Sequence, residues 1–398
     1  MRCSSPPEEL ATWWNHELTA SPVSRKGVDP CTIQTWGRAV LDGTMQHLLP
    51  VLLGTEEYIL PGTSHALLGS FTGWYWPVDY ILRILVVFFF EAVDGSHPCT
   101  STIGIYFLGQ YLSCLVVMYT DSLRGSRPSF LRATLWSLVF QLTAIGCTGW
   151  IWALSFLSSS ETAPPVSAQR KHQLKADLRR ASAVSDVSSM YLLLPAIVIG
   201  YVGSAVAMGL RSPELVSNGF QQYAIAGWNM FPLLVFAAYY ALRSLVGIAT
   251  SLGLAGHSKP TSHLTAIRVT NLLIIVLTSA SHWAISGISL AAVIFPGVFA
   301  PGYSQEFSPV ALAIPPLAIT KGRTFGDGVR SFMLWDQVFG YGLVGIVTMR
   351  QLSAAMGSSG KQLPLLVTGL AILASIVALG PGSAILLMSW IRDEILFA

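Results

Sequence analysis

Eight apolar runs, each long enough to be a membrane-crossing helix, fall near 77–95, 102–121, 133–157, 189–210, 224–246, 269–295, 332–349 and 364–391. A helix needs about 20 apolar residues to cross a hydrocarbon core about 30 Å thick. The runs are continuously apolar and do not alternate, which argues for helices and against a β-barrel. A shorter stretch near 44–62 is interrupted by Pro50, Gly54 and Glu56-Glu57. It makes a ninth span only if those breaks are accommodated; a half-inserted or interfacial segment fits equally well.

Composition agrees with the pattern. Of 398 residues, 52% are hydrophobic and 11% charged, where a soluble domain carries about a quarter charged; the mean hydropathy is +0.57. The expected fold is all-α, a polytopic transmembrane helix bundle with eight or nine spans. A polar N-terminal segment, 1–42, precedes a single transmembrane helical domain, 43–398, with long loops at 158–188 and 296–331. In the segment, Trp13-Trp14 and Trp36 read as interfacial anchors. The first residues lack the apolar core of a signal peptide, so insertion is expected to use an internal span. The net charge of +3 suggests no nucleic-acid partner. Cys3, Cys31, Cys99, Cys114 and Cys147 show neither a pairing pattern nor zinc spacing.

Basic residues set the sidedness. Loop 122–132 carries Arg124, Arg127 and Arg132, whereas 96–101 has no Lys or Arg. The positive-inside rule puts the first in the cytoplasm and the second on the luminal side. Strict alternation would then put loop 158–188 outside, although it holds Arg170, Lys171, Lys175, Arg179 and Arg180. Three explanations stand: the segment 133–157 is re-entrant, a span is miscounted, or this loop breaks the charge rule. Loop 296–331, rich in Pro, reads either as a cap over a cavity or as an ordered linker at the membrane surface.

One run departs from the rest. The helix beginning at Trp76-Pro77 carries Asp79, Arg83, Glu91 and Asp94, and ionisable groups at membrane depth are costly and tend to be functional. At 100° per residue all four fall in an arc of about 120°, shared with Trp76, Val87 and Phe90. Asp79 and Arg83, spaced i,i+4, read as a structural ion pair. Glu91 and Asp94, spaced i,i+3 with no base on their side of the helix, are close enough to share a proton. The next helix has a stripe of Tyr106, Gln110, Ser113 and Asp121. A short antiparallel connection would set Glu91 and Asp94 near Tyr106 and Gln110, and Asp79 near Asp121, lining a polar pocket. Asn229, Asn271, His282 and Asp336 are buried polar candidates elsewhere; each singly reads as an interhelical hydrogen bond.

Absent motifs narrow the chemistry. There is no Walker loop, GxGxxG, GxSxG, clustered His box, DDxxD or NxxxDxxxD. Acid–base work without metal or cofactor in an aromatic-walled cavity remains, or transport.

The segment Trp76-Pro77-Val78-Asp79-Tyr80-Ile81-Leu82-Arg83, with Phe88-Phe89-Phe90-Glu91-Ala92-Val93-Asp94-Gly95 and Tyr106-Phe107-Leu108-Gly109-Gln110-Tyr111, resembles fungal membrane-bound terpene cyclases. The nearest group is that of the ascochlorin, ascofuranone and macrophorin meroterpenoid pathways. The resemblance implies cyclisation of a lipophilic prenylated substrate of farnesyl type, begun by protonating a terminal epoxide or alkene. It also implies an integral protein of the endoplasmic reticulum or another internal membrane, in contact with its lipid. On this reading Glu91 donates the proton, Asp94 tunes or reprotonates it, and Asp121 is the base or polar partner. Gln110 and Tyr106 orient the substrate oxygen, and Trp76 and Phe90 form the wall. The alternative is a proton-coupled secondary transporter using the same carboxylates, against which no inverted repeat is visible.

Overall fold

Backbone polar groups in hydrocarbon must be satisfied within their own segment, and the apolar runs accordingly fold as helices. The computed structural model describes residues 32–54, 58–60, 63–126, 128–163, 171–253, 263–320, 324–360 and 364–398. Its helices are α1 (Thr44–Leu53), α2 (Trp76–Val93), α3 (Pro98–Ser122), α4 (Phe130–Thr143), α5 (Ile145–Ser159) and α6 (Lys171–Ser182). There follow α7 (Val187–Met208), α8 (Asn218–Asn229), α9 (Phe231–Ser251), α10 (His263–Ile294), α11 (Phe325–Ser358), α12 (Leu365–Leu379) and α13 (Pro381–Phe397). Among the described residues five helices, α3, α7, α9, α10 and α11, are long and apolar enough to cross a membrane.

Two of the expected spans are hairpins. The run 133–157 breaks at Ala144, whose φ of 71° is rare outside glycine, and α4 and α5 fold back on each other. The guanidinium of Arg132 at the start of α4 donates to the Ser159 hydroxyl at the end of α5, 3.0 Å away. The chain therefore enters and leaves at one end of the bundle. A hairpin here is the geometry that the re-entrant explanation of the charge conflict calls for. The basic loops on either side of the hairpin touch: Gly125 N–H donates to the Ala183 carbonyl and Ser185 N–H to that of Leu123. Helix α6 lies within the 158–188 loop with Leu178 and Ala181 buried, leaving Arg179 and Arg180 exposed.

The run 364–391 turns at Gly380, φ 90°, separating α12 from α13. The end of α13 returns to the basic end, where Glu394 pairs with Arg268 near the start of α10 at 2.6 Å. The run 224–246 likewise begins across a break, at Met230, between α8 and α9. The stretch 44–62 is no span: α1 contains Pro50 and stops at Gly54 in the left-handed region, and Glu56-Glu57 lie outside the described residues. Residues 32–41, the last part of the polar N-terminal segment, are helical and pack into the body. Trp36 is not an interfacial anchor; its indole N–H donates to the Thr143 carbonyl at 2.8 Å. Trp13-Trp14 lie outside the described residues. In the 296–331 stretch three short helical turns lead to α11, which starts on a capping box of Thr324 and Asp327.

Close helix contact at Gly200 depends on a missing side chain. A Cβ there would collide with the backbone of Val235 on α9, and small residues are how helices approach in lipid. Gly200→Ala should lower the thermal midpoint in detergent by an amount matching an overpacking cost of about 1–3 kcal/mol. Gly369→Ala, with nothing within 4 Å of the new methyl, should be neutral or stabilising in the same assay.

Candidate active site

The α4–α5 hairpin closes one side of an aromatic cleft. Phe88 and Phe89 of α2, Phe107 and Tyr111 of α3, Trp228 of α8 and Phe332 of α11 supply most of its aromatic lining, and Asp336 is its one carboxyl. The free space in this partly open cleft is about 70 Å³, several times the roughly 10–15 Å³ that one water needs and below the range of about 300–1,000 Å³ typical of small-molecule sites. Phe88 and Phe332 meet edge to face with centroids 5.3 Å apart, as do Phe89 and Trp228 at 4.9 Å.

Asp336 is held at the hairpin tip. It is 6% exposed, and its Oδ1 accepts the Gly146 N–H at 2.5 Å. Gly146 stands in the first turn of α5, where backbone N–H groups lack helical partners and the helix dipole favours an anion. A Cβ at Gly146 would strike the Asp336 side chain and backbone, so the glycine permits the approach. The positive φ of Ala144 swings this turn toward α11; strain of that kind costs about 1–3 kcal/mol and gathers at functional sites.

The sequence-predicted residues are dispersed. Glu91 is buried, 2% exposed, and its Oε2 lies 2.7 Å from Nδ1 of His97. The couple expected to lack a base has one, supplied by the loop just past the helix, where a search of the helix's own face does not look. Asp94 caps α2, its Oδ1 accepting from Ser96 N–H at 3.1 Å. Neither acid lines the cleft.

Tyr106 and Gln110 face away from α2. The Tyr106 hydroxyl meets Nδ1 of His282 on α10 at 3.0 Å. Gln110 donates to the Thr278 carbonyl at 2.8 Å and accepts the Gly382 N–H at 3.0 Å. Tyr106, Gln110 and Ser113 of the polar stripe on α3 are thus satisfied by α10 and the tip of the α12–α13 hairpin, partners distant in sequence.

Asp79 and Arg83 do not form the expected ion pair. The Asp79 carboxylate instead accepts from the Ser70 hydroxyl and the amides of Phe71 and Thr72, at 2.8, 2.9 and 2.6 Å. It stands in the first turn of α2 and closes the preceding loop, which removes it from Arg83. Trp76, 75% exposed, is no wall residue, and Phe90 is buried in the core beside the two phenylalanines that do form the wall.

A profile described as the CtvD domain matches residues 43–397. The chain belongs to the CtvD family. Among its relatives, terpene cyclase ctvD of Aspergillus terreus is 28% identical over 299 residues, covering 72% of this chain and 75% of that protein. Terpene cyclase ascI of Acremonium egyptiacum is 24% identical over 344 residues, covering 83% and 80%. Terpene cyclase sdgD of Emericella nidulans is 21% identical over 363 residues, covering 90% of each. No solved structure gives a significant match. The CtvD match includes Asp336, Gly146 and Glu91, and begins after Trp36.

In this CtvD-family chain Asp121 belongs to a buried charge network. Its Oδ1 lies 3.0 Å from Nε of Arg124 and 3.2 Å from Nη1 of Arg392, and its Oδ2 accepts from Gln351 at 2.8 Å. Arg124 also pairs with Asp393 at 2.7 Å. The network ties α3 to α11 and α13 at the basic end. Glu91 lies beside the other end of α3, where its neighbour Ala92 packs against Gly104; from Gly104 to Asp121 the helix rises about 26 Å, so Asp121 and Glu91 cannot serve one reacting group. Asp121→Asn should cost about 3–5 kcal/mol, the usual loss when one partner of a buried pair is removed. The check is thermal unfolding in detergent.

Proposed function

We propose that the chain is an integral-membrane terpene cyclase that closes rings on a prenylated substrate inside the aromatic cleft. The observation that carries this reading is a single carboxyl, Asp336, in an otherwise largely aromatic and apolar wall. The terpene-cyclase names of the relatives support it, and none of the relatives found is named as a transporter.

Asp336 gives its proton to a terminal epoxide oxygen or alkene carbon. The resulting cationic carbon is attacked by an internal alkene, the charge moves along the chain, and a final proton loss returns the acid, so the reaction is a net isomerisation. The carboxylate left behind stays bound to Gly146 N–H at the start of α5. Ring faces of Phe88, Phe89 and Phe332 stabilise the cation, and the apolar wall excludes the water that would quench it. No step in this scheme calls for a metal or cofactor. Glu91 with His97 is assigned a supporting place just beyond Phe88 on α2, and Asp94 that of a helix cap. The lipophilic substrate enters from the bilayer. The five long helices, with α2 and the two hairpins, make up the membrane body in place of eight or nine simple spans. The basic end faces the cytoplasm from an internal membrane such as the endoplasmic reticulum.

Expression in a host supplied with a farnesylated aryl epoxide tests the donor. Asp336→Asn should reduce cyclised product about 10²–10⁴-fold, the scale of a lost general acid, while Glu91→Gln keeps it within about tenfold. The reverse result makes Glu91 the donor. Phe332→Leu, which keeps an apolar wall but removes a ring face, should slow turnover about 3–30-fold, matching about 0.5–2 kcal/mol of cation–π stabilisation.

A further inference from the structure

A second cavity lies at the basic end of the bundle, between the open ends of α4 and α5 and the end of α3. It is large, about 550 Å³, within the range of about 300–1,000 Å³ typical of small-molecule sites. Its rim is polar, with Ser129, Arg132, Ser160 and Glu161, and its floor is aromatic, with Trp136 and Trp152. Arg132 is exposed and bonds the Ser159 hydroxyl; neither it nor Glu161 has an ion-pair partner among the described residues. Deeper in the cavity, Arg124 is already neutralised by Asp121 and Asp393.

This cavity and the aromatic cleft are neighbours through one side chain. Phe140 lines the cleft, and its ring lies 6.0 Å from that of Trp136 and 6.3 Å from that of Trp152 on the floor of the polar cavity. Along α5, the distance from Gly146, beside Asp336, to Ser159 is about 20 Å at 1.5 Å per residue. The hairpin therefore has a polar, cation-bearing recess at its open end and a proton donor at its tip, with an aromatic wall between.

We infer that the polar cavity is the subsite for the head of an amphiphilic substrate: a hydroxylated, carbonyl-bearing ring joined to the prenyl tail that reacts at Asp336. Arg132 donates to the carbonyl or phenolate oxygen, Glu161 accepts from a ring hydroxyl, and the floor tryptophans stack on the ring. The tail passes Phe140 to reach the cleft, so the fixed separation selects tails long enough to present their far end to Asp336. This rests on the cyclase reading above for the tail's reaction, while the head subsite has its own readout.

The test uses the full chain in nanodiscs of neutral lipid and a farnesylated aryl epoxide carrying a diazirine on its ring. Photolysis and peptide mapping should place the label within residues 122–162. Arg132→Ala should cut labelling at least tenfold and raise KM for the aryl substrate at least tenfold, with kcat within about twofold. It should leave KM for farnesol epoxide, which lacks the ring, unchanged; Arg132→Lys should recover part of the loss. A label elsewhere, or equal damage to both substrates, overturns the inference. So does suppression of labelling by added anionic lipid, which would assign the cavity to a lipid headgroup. Labelling within 122–162 without any cyclised product keeps the head subsite and refutes the cyclase reading instead.

Discussion

A hairpin that turns back inside an apolar bundle exposes helix-end amides where no water can reach them. This chain does so twice and answers each time with one polar side chain from a long helix. Gly146 N–H at the start of α5 donates to Asp336 of α11, and Gly382 N–H at the start of α13 donates to Gln110 of α3. An unmade hydrogen bond of this kind costs about 1–3 kcal/mol in a buried setting, so each partner anchors its hairpin in depth and direction. The two anchors differ in one chemical respect: a carboxyl can give up a proton and an amide cannot. The same structural need thus places a titratable carboxyl at one tip and an amide at the other.

The hairpins also organise the charges. Because both open toward the same end, three loops and the end of the last helix gather there, bringing Arg124, Arg132, Arg179, Arg268 and Arg392 to one face. Asp121 and Asp393 neutralise the buried members, Arg124 and Arg392, while α6 buries Leu178 and leaves its own arginines outward. Loops that alternation would have set on opposite sides are joined by backbone hydrogen bonds. With the hairpin recognised, the basic loops 122–132 and 158–188 gather at one end of the bundle, as the positive-inside rule requires.

Much of the fold was legible in the apolar runs, since α2, α3, α7, α10 and α11 each coincide with one. The hairpins were not, for a physical reason. A hydropathy pattern averages over the turn, and Ala144 is an apolar residue whose positive φ leaves no mark in composition. The Gly380-Pro381 pair was a visible breaker, yet apolar sequence on both sides made one long span the simpler reading. The site was less legible than the fold. Glu91 and Asp94 drew notice through density of charge on one helix, but what makes a carboxyl reactive is where it is buried and what faces it. The aromatic cleft draws its wall from seven helices and the segment holding Trp36, a convergence no single stretch reveals. Asp336 did carry a signal, as the one acid in the interior of a 34-residue apolar helix.

The contrast between Asp336 and Glu91 shows how surroundings assign roles to like residues. Glu91 has the His97 ring at 2.7 Å and a place at a helix end beside a loop, so its carboxyl is already engaged within the protein. Asp336 has a backbone donor, no ion-pair partner among the described residues, and aromatic rings across the cleft. A proton leaving Asp336 has no basic side chain in the cleft to receive it, and it is on this difference in surroundings that the proposal of Asp336 rather than Glu91 as the donor to an epoxide or alkene rests.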